Sequence, residues 1–60
     1  MNILDLYKKN EEAYQHLMDQ FRKALSEGDE LLAEAIMSEL EKLNVKLRIL
    51  MEVRRESTQD

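Results

Sequence analysis

Sixty residues with a formal net charge of −4 make at most one small, acidic domain. Cysteine and proline are absent and there is one glycine, which excludes disulfide bonds and predicts few, long elements. The acidic balance also disfavours general nucleic-acid binding, which needs a basic patch. With a single histidine and no cysteine, a stabilising metal is not expected, so a chain this small needs a second subunit or a partner.

The first half of the chain repeats core-type positions at alternating spacings of three and four residues, which predicts a helix over about residues 2–26. These positions, the first seam, are Ile3, Tyr7, Asn10, Tyr14, Leu17, Phe21 and Ala24. A lone polar residue such as Asn10 in a core stripe fixes the pairing register, unless the first turns fray and leave it unburied. Tyr7 and Tyr14 flank Asn10, so we predict a polar cluster that specifies register.

Glu12, His16 and Asp19 share one face of this helix, and groups of this type can hold a divalent metal. They lie among polar neighbours on the side away from the first seam. We interpret them as an ordinary charged face and predict no metal and no cofactor.

The only strong break is SEGDE, residues 26–30. Gly28 suits the left-handed position after a helix, and Asp29 suits the N-cap of the next one, so we predict a turn at 27–29. Acidic residues concentrate here, which favours encounter with a basic partner surface. We name four of them the acidic tip: Glu27, Asp29, Glu30 and Glu34.

The second half predicts a helix over about residues 30–56, with a polar, frayed tail at 57–60. Its core-type positions, the second seam, are Ala33, Ile36, Leu40, Leu43, Leu47, Leu50 and Arg54. Apolar residues beside both seams make the apolar face wider than a two-helix coil needs. We therefore predict an all-α, two-helix antiparallel hairpin that dimerises into a four-helix bundle.

Residues 43–53, LNVKLRILMEV, alternate apolar and polar side chains and so also fit a β-strand. The unbroken second seam favours the helix, on which Val45, Ile49 and Val53 form a second apolar line, the ridge. The ridge either packs inside the dimer or against the start of helix 1, which is the interpretation we prefer, or it docks another protein. Met37 and Met51 beside the seam fill the core or serve the same interface.

No catalytic constellation, glycine-rich phosphate loop or nucleophile motif is present, so we do not expect an enzyme. MNILDLYKKN lacks the pattern of a signal peptide, and no apolar run approaches the roughly 18 residues of a membrane span, so we expect a cytoplasmic protein. The preferred function is a regulator or inhibitor that binds a larger protein as a homodimer. The alternatives are an RNA-binding dimer and a purely structural bundle segment.

The length and the helix–turn–helix layout resemble the repressor of primer family of plasmids, small helical hairpins that dimerise into a four-helix bundle. This resemblance implies RNA binding through a basic face of helix 1. The corresponding basic residues here are Lys8, Lys9, Arg22 and Lys23. They alternate with Glu11, Glu12 and Asp19, and this charge balance argues against nucleic acid as the partner.

Overall fold

The computed structural model describes residues 2–57 and shows two antiparallel helices joined by a tight turn. Helix α1 spans Ile3–Ser26 and helix α2 spans Glu30–Ser57. The predicted all-α helical hairpin is therefore confirmed. Of the predicted frayed tail, the backbone of Ser57 continues α2, and residues 58–60 lie outside the described residues.

Residues 43–53 are helical throughout, so the strand alternative for this segment is wrong. The second seam explains the outcome, because its spacing keeps one face of α2 against α1 from Ala33 to Leu50 without a change of phase. Within residues 2–57 there is no strand with which an extended segment could pair.

Local hydrogen bonds close both ends of α1. The Asn2 side chain accepts a hydrogen bond of 2.8 Å from the Leu4 N–H and caps α1. At the other end, the N–H groups of Gly28 and Asp29 donate to the carbonyls of Leu25 (3.1 Å) and Ala24 (2.9 Å), which is a Schellman motif. Gly28 has a φ of 73°, a left-handed conformation that glycine adopts without a side-chain clash.

The buried core is small and lies in the half of the hairpin nearer the turn. It consists of Ala24, Ala33, Ile36 and Leu40, with Tyr14, Leu17, Met18 and Phe21 packed partly buried against it. Towards the open end the seam residues are only half-buried, and Arg54 is exposed. Since each helix has one neighbour in a hairpin, much of the apolar face remains in contact with solvent.

Candidate interaction surfaces

One side of the groove between the helices carries exposed methionines. Near the turn, Met37 lines a concavity with Phe21 and Leu25; near the open end, Met51 lines another with Tyr7 and Tyr14. Met37 is 46% exposed and Met51 is 52% exposed. We call this side, with its two concavities, the methionine side of the hairpin.

The ridge occupies a different part of α2. Ile49 lines a concavity with Leu6 and Asn10 on the opposite side of the groove, which we call the ridge side. Val45, Ile49 and Val53 are 53%, 54% and 41% exposed. Leu43 and Leu47 of the second seam, two positions before and after Val45, point towards α1. Because successive residues are about 100° apart around a helix, Val45 points away from α1. The hairpin alone therefore leaves the ridge open to solvent.

The three polar residues of the first seam do not form one hydrogen-bonded cluster within the described hairpin. The Asn10 Nδ2 group donates to the Leu6 carbonyl in its own helix at 2.8 Å. Tyr7 and Tyr14 are half-buried on the methionine side, whereas Asn10 lines the ridge side. The role of these residues in specifying register remains a prediction about the assembled protein.

All four residues of the acidic tip are exposed, but one of them has a structural role. The Asp29 carboxylate accepts a hydrogen bond of 3.1 Å from the Leu32 N–H and so caps α2. Asp29 thus satisfies a backbone donor of α2. Glu27, Glu30 and Glu34 remain as the tip residues whose charge is directed to solvent.

We expect Asp29→Ala to lower the free energy of unfolding by about 0.5–2 kcal/mol, the usual effect of removing an N-cap. Asp29→Ser should restore most of this loss because a serine hydroxyl can accept the same hydrogen bond. Glu27→Ala removes one negative charge from the tip without removing a cap and serves as the control. Urea unfolding followed by circular dichroism measures the three variants. Equal values for Asp29→Ala and Glu27→Ala would contradict the capping role.

The solvent face of α1 has mixed charge, as its sequence suggested. Lys8, Lys9, Arg22 and Lys23 are exposed, and Arg22 pairs with Asp19 at 3.3 Å. The Nε2 atom of His16 lies 3.3 Å from the Gln20 amide nitrogen. Over residues 2–57 no three acidic or histidine side chains come together as metal ligands, and neither helix is apolar enough over its length to cross a membrane.

Two exposed leucines near the turn were not singled out from the sequence. Leu32 lines a concavity with Ala24 and Ile36, and Leu31 is among the most exposed apolar residues of α2. They fall outside the seam spacing, in the first turn of α2, where periodicity gives a weak signal. They extend the exposed apolar surface to the end of the hairpin that carries the acidic tip.

Comparisons with protein-family models, with curated protein sequences and with solved structures find no match to this chain. The resemblance to the repressor of primer family therefore rests on length and layout.

Proposed function

We propose that this chain is a non-enzymatic protein–protein interaction module, a regulator or inhibitor that binds a larger protein as a dimer of hairpins. The observation that carries the proposal is the distribution of apolar residues. Among the described residues, four form the buried core, two of them alanines, while exposed large apolar side chains lie on both sides of the groove. Contiguous exposed apolar surface marks interaction sites on small proteins.

The small size of the core supports the proposed dimer. A single core in a chain of this length rarely supplies more than about 3–5 kcal/mol, and other small domains add disulfides, metals or subunits. The chain has no cysteine. A second hairpin packed on one side of the groove would cover that side's apolar residues and give each helix a second neighbour, as in a four-helix bundle.

A larger protein is proposed because one dimer contact cannot cover both sides of the groove. A two-fold contact uses one patch on each copy. If the second copy covers the methionine side, the ridge stays exposed on the other. Val45 and Ile49 then present branched apolar side chains on a regular helix face, a form that suits docking into an apolar groove of a partner.

The proposal is tested with Val45→Asp/Ile49→Asp, with Ala35→Asp/Ser38→Asp as the matched control. Both pairs add two negative charges to exposed positions of α2. We expect both variants to stay dimeric by sedimentation, whereas only the ridge variant loses a larger protein that the wild-type chain captures from its host. Loss of the dimer in the ridge variant alone would place the ridge in the dimer core and contradict its docking role. A wild-type chain that sediments as a folded monomer would contradict the dimer.

A further inference from the structure

A second regular line of residues runs along α2 beside the second seam. Its members are spaced alternately by three and four residues, the spacing that keeps a line straight along a helix in left-handed packing. All of them are exposed. This charged stripe consists of Glu34, Met37, Glu41, Asn44, Arg48, Met51 and Arg55.

The apolar residues of the charged stripe are placed symmetrically about Asn44, whereas its charges have opposite signs on the two sides of Asn44. Met37 and Met51 lie at equal distances on either side of Asn44. The two glutamates precede Asn44 and the two arginines follow it. Reversing the direction of the stripe about Asn44 therefore places methionine on methionine and brings each acid to within one residue, about 1.5 Å along the helix, of the position opposite an arginine.

The structure places the charged stripe on the methionine side. Glu34 and Met37 line the concavity near the turn, and Asn44, Arg48 and Met51 line the one near the open end. Half-buried aromatic residues of α1 form the opposite wall of both concavities.

The charges at the centre of the stripe are available for a partner. Glu39 pairs with Lys42 at 3.3 Å on another face of α2. In contrast, Glu41 and Arg48 form no ion pair with any other residue in the range 2–57. A second chain with the complementary order of charges would supply their counterions.

We propose that a second copy of this chain packs on the charged stripe, with the two α2 helices antiparallel about a two-fold axis at Asn44. This inference rests on the proposed dimer and specifies its geometry. Met37 packs on Met51 of the second copy, and Glu41 faces Arg48 of the second copy; the symmetry repeats each contact. Asn44 meets its own counterpart, and two side-chain amides can each donate and accept a hydrogen bond.

The methionine sides of two copies could also pack about a two-fold axis that runs parallel to the helices. Charge disfavours this second arrangement. It brings both acidic tips to the same end of the bundle. It also places α2 beside α1 of the second copy, so that the opposite charges of the two charged stripes no longer face each other. The antiparallel order separates the two acidic tips and brings opposite charges together, and is therefore favoured.

The antiparallel dimer leaves part of the ridge uncovered. On the helical wheel Ile49 and Val53 lie on the side of α2 away from the charged stripe, at about 100° per residue. Two copies of this apolar surface would then be presented to a larger protein, one on each side of the bundle.

Disulfide trapping tests the axis directly, because the native chain has no cysteine. Asn44→Cys places two thiols next to each other on the axis, and we expect a covalent dimer under mild oxidation. Met37→Cys alone should stay uncrosslinked, whereas a mixture of Met37→Cys and Met51→Cys chains should form the mixed dimer. Crosslinking of Met37→Cys to itself, or none at Asn44→Cys, would overturn the arrangement.

Charge exchange supplies the second test. We expect Glu41→Arg and Arg48→Glu each to weaken dimerisation about tenfold or more, since each creates two like-charge contacts. The double variant Glu41→Arg/Arg48→Glu should recover the wild-type dissociation constant in sedimentation equilibrium. If the double variant is no tighter than the singles while the wild-type chain is dimeric, the geometry is wrong and the dimer stands. If the wild-type chain is monomeric throughout, the proposed dimer itself fails.

Discussion

Replacing Ile36 by alanine is expected to lower the free energy of unfolding by about 2–5 kcal/mol, the range observed when a large buried aliphatic side chain is truncated. Ile36 is 6% exposed, and in the part of the chain that the structure describes it is one of two large side chains in the core. Its neighbours in that core include Ala24 and Ala33, whose short side chains cannot move to fill the space. The loss is comparable to the stability of a domain of this size, so the variant should be largely unfolded near room temperature.

Ile49→Ala is the matched control for Ile36→Ala. It makes the same change in the same helix, but at a side chain that is 54% exposed. We expect the free energy of unfolding to change by no more than about 0.5 kcal/mol, as for other surface substitutions. Urea unfolding of both variants, followed by circular dichroism, gives the comparison. Equal losses would show that Ile49 is buried in the assembled protein and would contradict an exposed ridge.

The hairpin could be predicted because two independent signals agree in this sequence. The alternating spacing of the two seams predicts helices on both sides of residues 27–29. Gly28 and Asp29 then supply the end of one helix and the start of the next, and the structure shows both residues in these roles. Both signals are local, which is why they can be recognised in a single chain.

The depth of burial could not be predicted, because it depends on how many neighbours each helix has. Leu40 and Leu47 occupy equivalent positions of the second seam, yet Leu40 is buried and Leu47 is half-buried. Periodicity treats the two residues alike. Arg54 ends the same seam and is exposed, since the charged end of a side chain at the open end of the hairpin remains in water.

The surplus apolar surface was recognised from the sequence only in part. The ridge stood out because residues 43–53 alternate. The division of the exposed side chains between two sides of the groove became visible only from the concavities that α1 and α2 form together. Met37 and Met51 therefore lie on one side of the groove and Ile49 on the other. Two separate apolar surfaces suit the proposal that one chain binds two different partners.

Met37→Asp/Met51→Asp is expected to have the largest effect on assembly. In the antiparallel dimer it places two carboxylates at each methionine contact, where like charges oppose association strongly. We expect the dimer to dissociate at every concentration that can be measured by sedimentation. Because subunit binding stabilises the folded state, the wild-type Tm should rise with protein concentration, whereas the Tm of the variant should be lower and independent of concentration.

Val45→Asp/Ile49→Asp is the control for the methionine variant, because it adds the same two charges to exposed positions of the same helix. Its Tm should keep the concentration dependence of the wild-type chain, since Val45 points away from α1 and Ile49 lies on the ridge side. If the ridge variant loses this dependence and the methionine variant keeps it, the second copy sits on the ridge side and the assignment of the two surfaces is reversed. If only the methionine variant loses the concentration dependence of its Tm, the dimer contact lies on the methionine side of the groove. The ridge side then remains available for the larger protein.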